Sequence, residues 1–246
     1  TPSSICVATG ALRFLYKVTL KRSWAVEEIP MPKRPRKLPE ILSPEEVMHF
    51  LNAITNHKHR AILMTAYAAG LRVSEALHLR DADVDLKRGL LTIRQTKFAK
   101  SRLLPVHPTT VVALAKYRKA RARHVATTDD MPFLISSRGR LLGRPLSDRQ
   151  AHRVFNALRD QLGWVNRGSH VAIRLHDLRH TFVVRRLMRW HADGTDIDQM
   201  MLALSTYMGH AEIFYTYWYL TAVPELMALA GGKFERFADL AGDGDE

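Results

Sequence analysis

Apolar positions recur at helical spacing along most of this chain and at strand spacing in a few short runs. Residues 10–20 place Leu12, Leu15, Tyr16 and Leu20 near one face and read as a helix. Residues 30–39, PMPKRPRKLP, interrupt the pattern with four prolines and four basic side chains. Proline bars helix continuation and charge keeps the segment solvated, so this stretch reads as a linker. A helix start follows at Ser43-Pro44-Glu45-Glu46, with an N-cap Ser, Pro at the first helical position and Glu at the third. A second helix spans residues 57–69 and ends at Gly70, where a left-handed residue is wanted. Residues 74–79 read as a short helix, and residues 90–95 and 102–106 as two strands around a polar turn at 96–101. Helix returns over 109–123, and Lys116, Lys119 and Arg123 share one solvated face. Residues 133–135 (FLI) suggest a third strand. Ser147 caps a helix running to about 162; residues 176–191 form a long helix closed by Gly194; Asp196 opens the next, with Gln199 as its capping-box partner. Residues 212–219 and 224–230 read as further short helices, and the acidic last six residues as a frayed tail. The sum is a mainly α chain with a small antiparallel sheet, an α+β arrangement.

Charge changes the picture. Lys and Arg number 37 against 24 Asp and Glu, a formal net charge of +13. Such an excess favours a polyanionic partner, nucleic acid first and an anionic membrane surface second. The most apolar stretch, residues 61–71, holds Thr65, Tyr67 and Gly70 and is far short of the roughly 20 residues of a membrane span. One cysteine, Cys6, rules out an internal disulfide framework and fits a reducing compartment. The first residue is Thr1, and the chain reads as a piece of a longer product.

Four places carry candidate chemistry. In Gly70-Leu71-Arg72-Val73-Ser74-Glu75, a guanidinium follows a helix-ending glycine and has a carboxylate three residues on. Such a pair is organised to grip phosphate oxygens, although a surface ion pair is the bland alternative. In His176-Asp177-Leu178-Arg179-His180, His176 and Arg179 project from one side of a helix N-terminus, which suits an anion. Two other readings compete there: His176 and His180 as metal ligands at i, i+4, and Asp177 as a helix cap. Gly209-His210 ends an amphipathic helix, and a histidine behind glycine is by itself a loop residue. The run Tyr215, Thr216, Tyr217, Trp218, Tyr219 reads first as packing, but a tyrosine can also be a covalent nucleophile. All four suit phosphate chemistry: arginines neutralise charge on non-bridging oxygens, histidines donate hydrogen bonds or move protons, and tyrosine supplies an oxygen. No ATP-binding P-loop motif is present.

In order and separation, Gly-Leu-Arg72-x-Ser-Glu, Lys97, His176-x-x-Arg179, Gly-His210 and Tyr219 nine residues later resemble the tyrosine recombinase (phage integrase) family, over about residues 40–230. The resemblance implies the catalytic-domain fold of that family over residues 41–237. It also implies roles. Arg72 and Arg179 clamp the scissile phosphate and His210 bonds to it. His176 assists proton removal from the nucleophile, and Tyr219 attacks to leave a 3′-phosphotyrosyl link. Lys97 protonates the leaving 5′ oxygen, with Lys100 as its rival; Phe98 and Ala99 stand where the family commonly carries small residues. Glu75 supports Arg72, and Tyr215 is the fallback nucleophile. No cofactor and no metal are implied. The partner is double-stranded DNA, bound by a homotetramer on paired sites, with accessory recombinases or DNA-bending proteins, in the cytoplasm at the nucleoid. Residues 1–28 resemble the last helices of the family's core-binding domain, so a truncated N-terminus is expected. Residues 29–40 are the basic linker and 238–246 the tail. DNA contacts are expected from Lys33, Arg34, Arg36, Lys37, Lys100, Arg102, Arg138, Arg140 and Arg144. Residues 224–237 offer apolar contacts to a neighbouring copy or to their own domain. Two other readings stand beside an active recombinase: a DNA-binding remnant that no longer recombines, and a type IB topoisomerase.

Overall fold

A computed structural model describes residues 2–22, 39–94, 101–136, 139–165, 172–222 and 226–228. The chain divides into two compact units, Thr1–Leu38 and Pro39–Glu246. The first holds helix α1 (Pro2–Phe14), which passes directly into a π-helical turn at Leu15–Thr19. The helix thus starts well before residue 10, because nothing in residues 2–9 blocks helical backbone. Most of the expected linker lies outside the described residues, and Pro39 and Glu40 are already buried in the second unit.

The second unit is helical around a small sheet. Its helices are α2 (Pro44–Ala53), α3 (His57–Ala68), α4 (Val73–Leu77), α5 (Pro108–Ala122), α6 (Asp148–Gln161), α7 (Leu175–Ala192), α8 (Ile197–Met208) and α9 (Phe214–Tyr217). A 3-10 segment, Trp218–Ala222, follows α9. The helix starts are set by side chains that satisfy orphan N–H groups. Ser43 Oγ accepts from the Glu46 N–H and Glu46 Oε2 from the Ser43 N–H, a reciprocal pair behind Pro44. Ser147 and Gln150 repeat the device on α6. On α8, Asp196 accepts from the Asp198 N–H instead of pairing with Gln199.

Three antiparallel strands lie in the order β1 (Val84–Asp85), β2 (Leu90–Ile93), β3 (Arg102–Pro105). The β2–β3 register pairs Leu90 with Pro105 and Ile93 with Arg102. Residues 133–135 are not the third strand. Phe133, Leu134 and Ile135 are buried, but Pro132 and Pro145 lie opposite Arg80 and Ile135 in isolated bridges. Proline has no N–H with which to extend a ladder. The backbone there is satisfied piecemeal: the Phe133 N–H donates to the Leu79 carbonyl and the Ile135 N–H to the Tyr117 hydroxyl.

The larger core gathers α2 to α7 and the sheet around Phe50, Leu63, Leu91, Leu104, Phe133, Phe155 and Leu178. A second cluster forms between α7 and α8 from Val183, Val184, Leu187, Met201, Leu204 and Met208, and it includes Tyr219. Helix α7 therefore faces both clusters, which is why its buried positions cover more than one stripe. Among the described residues no helix is long and apolar enough to cross a membrane.

Gly70 joins α3 to α4 with φ +57°, and a Cβ there would stand 2.7 Å from a Phe182 ring carbon on α7. Conformation and space both demand glycine. Gly70→Ala is expected to lower stability by about 1–3 kcal/mol, read from urea denaturation. A variant as stable as the parent would show that the turn relaxes freely.

Candidate active site

Four charged side chains from three parts of the unit meet beside the end of α8. Glu75, on α4, is 8% exposed in its side chain. Its carboxylate accepts from Arg72 Nη1 at 2.9 Å and from the Arg72 backbone N–H at 3.0 Å. Arg102, on β3, adds bonds from Nη1 at 3.2 Å and Nη2 at 3.0 Å. Arg179, on α7, lies 3.9 Å away. Three guanidinium groups thus share one carboxylate.

The end of helix α8 supplies the remaining partners. Arg102 Nε donates to the Tyr207 carbonyl at 2.9 Å, Arg179 Nη2 to the Met208 carbonyl at 2.7 Å, and Arg72 Nη1 and Nη2 to the Gly209 carbonyl at 3.3 and 3.2 Å. Three consecutive carbonyls at a helix C-terminus, with the partial negative charge that end carries, each take one arginine. Gly209 makes this possible. It sits at φ +65°, and a Cβ on it would stand 2.5 Å from Arg102 Nη1. Arg179 Nη1 also donates to the Gly70 carbonyl at 2.5 Å, so its guanidinium is held by the turn at Gly70 and by the Met208 carbonyl just before Gly209.

Arg179 is 2% exposed, and burial together with the Arg72 charge pushes its pKa down to about 10. Burial pushes the Glu75 carboxyl up. The Arg102 bonds and charge, the Arg72 N–H and the Arg179 charge outweigh that and hold it below the ordinary value. The cluster keeps an uncompensated positive charge, which an anion would neutralise.

The other expected residues surround this cluster. Tyr219 is 3% exposed and its hydroxyl lies 2.8 Å from His180 Nδ1. Burial raises its pKa, against the opposing pull of Arg179 and Arg72, so the phenol carries its proton at neutral pH. The His210 ring stacks parallel to the Tyr219 ring with centroids 6.2 Å apart, and its Nδ1 lies 2.8 Å from Thr216 Oγ1. Burial, then Arg179, Arg72 and Arg102, push the His210 pKa down to about 3. His176 keeps an exposed edge. The protein packed on its other side, with Arg179 and Arg174, pushes its pKa down to about 4. Asp177 caps α7: its carboxylate accepts from the Arg174 N–H and from Arg174 Nη2, both at 2.7 Å. Among the described residues no group of three or more His, Cys, Asp or Glu side chains is placed to hold a metal ion.

The structure thus brings Arg72, Glu75, Arg179, His210 and Tyr219 together, with His176 at the rim of the site. Lys97 and Lys100 lie outside the described residues, as do Lys33, Arg34, Arg36, Lys37 and Arg138. Arg140 and Arg144 are exposed, as a DNA contact requires. Arg102 is not at a surface. Its side chain is 9% exposed because Glu75 and the Tyr207 carbonyl draw it inward, and it positions the cluster. Tyr215, the fallback nucleophile, is 54% exposed, and its ring contact among the described residues is with Phe214. Sequence reasoning missed His180 as a partner of Tyr219 and Thr216 as a partner of His210. The first signal was available in the i, i+4 spacing of His176 and His180, which read as a metal pair. An open groove of about 650 Å³ leads from Arg72 and Glu75 past His78 and Arg80 to Arg94.

A model of the phage integrase family matches residues 40–225. A Sinorhizobium fredii protein named as an integrase/recombinase, y4rB, is 38% identical over 219 residues, 84% of this chain and 69% of that protein. The tyrosine recombinase XerA of Thermococcus kodakarensis is 31% identical over 219 residues, 88% of this chain and 70% of that protein. Among solved structures, XerA recombinase is similar with a TM-score of 0.61 at 22% identity, covering 95% of this chain and 76% of that one. The Tn1549 transposon integrase in complex with a circular intermediate DNA has a TM-score of 0.65 at 18% identity, covering 96% and 79%. At these identities the two structures show a shared fold.

Two outcomes test the site as a physical object. Glu75→Ala leaves buried guanidinium groups without their carboxylate and is expected to cost about 3–5 kcal/mol in urea denaturation. A loss below about 1 kcal/mol would mean that the pairs are energetically idle. His176 and His210 take protons in the folded chain only at about 4 and 3, against about 6.5 when unfolded. Protons therefore favour the unfolded chain, and stability falls as pH drops from about 6.5 toward about 3. Imidazole resonances of both residues should stay flat between about pH 5.5 and 8; a midpoint near 6.5 would contradict the site's electrostatics.

Proposed function

The chain belongs to the phage integrase family, and from that premise we propose that it is a site-specific recombinase that cleaves and rejoins DNA through a covalent bond to Tyr219. The observation that carries this reading is the positively charged cluster of Arg72, Arg102 and Arg179 around a single carboxylate, set against a buried tyrosine hydroxyl. A scissile phosphate is the anion that gives both parts one purpose.

Arg72 and Arg179 neutralise the non-bridging oxygens as charge builds in the transition state, and low exposure strengthens that effect. His210 is neutral at pH 7. A Thr216 hydroxyl donating to its Nδ1 leaves the ring proton on Nε2, free to bond a phosphate oxygen. The Tyr219 oxygen bonds to phosphorus as the bond to the 5′ oxygen breaks. The phenol proton goes to a histidine of α7, and Lys97 delivers a proton to the leaving oxygen. The phosphotyrosyl link conserves the energy of the phosphodiester, so rejoining needs neither ATP nor a metal; catalysis is positioning and electrostatics.

Duplex DNA follows as the partner from the charge of +13, from the groove that leaves the site toward Arg80 and Arg94, and from exposed Arg140 and Arg144. On the strength of the family resemblance we assign residues 1–28 to a helical DNA-binding domain, Lys33, Arg34, Arg36 and Lys37 to its connector, and the working form to a homotetramer on paired sites.

The test is covalent trapping. The protein is incubated with a nicked duplex drawn from its flanking DNA, so that the released 5′ fragment diffuses away, and the mixture is denatured and run on a gel. An adduct formed by the parent and by Tyr215→Phe but lost in Tyr219→Phe is the expected result. DNA binding that weakens with salt but yields no adduct would favour a binding remnant. Relaxation of a supercoiled plasmid without a paired site would favour a topoisomerase.

A further inference from the structure

Resting on the recombinase reading above, we infer that His180 is the residue that holds the Tyr219 hydroxyl and takes its proton during attack. The family resemblance leaves that task to His176. The geometry points to the histidine one turn later on α7.

His180 Nδ1 lies 2.8 Å from the Tyr219 oxygen, within the reach expected of a general base. In the tautomer with the proton on Nε2, the phenol donates to the Nδ1 lone pair. The two rings are 5.5 Å apart at their centroids. Trp218 meets the His180 ring edge-on at 5.9 Å and His176 does so at 4.7 Å, so the imidazole is held between aromatic neighbours. The backbone beneath it is fixed as well. Thr181 Oγ1 donates to the Asp177 carbonyl at 2.8 Å and accepts from the Leu42 N–H at 3.1 Å, which ties this turn of α7 to the segment before α2. His176 keeps an exposed edge, and among the described residues its ring contact is with His180 and not with Tyr219.

Burial makes such a group necessary. Tyr219 is 3% exposed, so bulk water has little access to its proton. In the forward step the Tyr219 oxygen bonds to phosphorus and the phosphorus–5′ oxygen bond breaks, its electron pair leaving with the oxygen. The phenol proton moves to His180 Nδ1, and the 5′ oxygen takes a proton from Lys97. In rejoining, the 5′ hydroxyl attacks the phosphotyrosine, its proton returns to Lys97, and His180 returns the other proton to the phenolate. His180 therefore belongs to the nucleophile and Lys97 to the leaving group.

That division is measurable. Single-turnover adduct formation is followed at saturating nicked DNA for the parent, His180→Asn, His180→Ala, His176→Ala and Tyr219→Phe. Each is run on a normal phosphodiester and on one carrying sulfur at the bridging 5′ position, a leaving group that needs no proton. Asparagine places an amide near the Nδ1 position and keeps a hydrogen bond without a base. We expect both His180 variants to be slowed about 100-fold or more on both substrates, with DNA affinity within threefold of the parent and partial rescue of His180→Ala by added imidazole. His180→Asn at the parental rate would overturn the inference, as would full recovery on the sulfur substrate or a loss confined to His176→Ala. If the parent forms no adduct on any substrate, the recombinase reading fails and the inference falls with it. A measurement without turnover covers the case of an unfolded His180 variant. In the parent and Tyr219→Phe, labelled with ¹⁵N-histidine, the His180 Nδ1 resonance should shift when the hydroxyl is removed; an unchanged resonance would contradict the bond.

Discussion

Three arginines converge on one carboxylate and on three successive carbonyls, and the arrangement of the second unit depends on that convergence. Glu75 binds Arg72 and Arg102 directly and stands near Arg179. The carbonyls of Tyr207, Met208 and Gly209 each take one of the same arginines. These bonds join α4, strand β3, α7 and the end of α8, which hydrophobic packing alone would leave free to slide. Like charges at close range repel, so the cluster persists only because each guanidinium has a fixed acceptor. Gly209 provides the carbonyl geometry and also the space that Arg102 fills.

That arrangement sets the protonation of everything near it. Burial and then the arginine charges push His210 and His176 far below the usual histidine range, and burial keeps the Tyr219 phenol protonated. Neutral histidines donate hydrogen bonds without adding to the repulsion, and a protonated phenol needs an acceptor within reach. The nearest ring nitrogen to it on α7 belongs to His180. In the proposed reaction, the same excess of positive charge that would destabilise the empty cluster is what a bound phosphate would relieve, so that binding and electrostatic stabilisation would draw on one source.

Much of this was legible in the chain. The capping signatures at Ser43 and Ser147 and the glycines at 70 and 209 act locally, and each forms as its spacing predicts. Arg72, Arg179, His210 and Tyr219 were found by order and separation, which is information about a family rather than about local physics. What escaped reading is long-range. Arg102 reads as one more basic residue after a polar turn, but its partners are Glu75, 27 positions away, and Tyr207, 105 positions away. His180 meets Tyr219 across 39 positions through a short helix and a 3-10 turn, whose angle no periodicity specifies. Residues 133–135 have strand composition, yet the prolines opposite them prevent a ladder.

The central claim is that the cluster around Glu75 is shaped for one phosphate presented to Tyr219. The most direct test is the structure of the protein bound to a duplex from its flanking DNA. The expected result is a backbone phosphate within hydrogen-bond distance of Arg72, Arg179 and His210 Nε2, with the Tyr219 oxygen facing its phosphorus. Duplex DNA bound in register along the Arg80–Arg94 groove, with the arginine cluster still satisfied only by Glu75 and the end of α8, would contradict it.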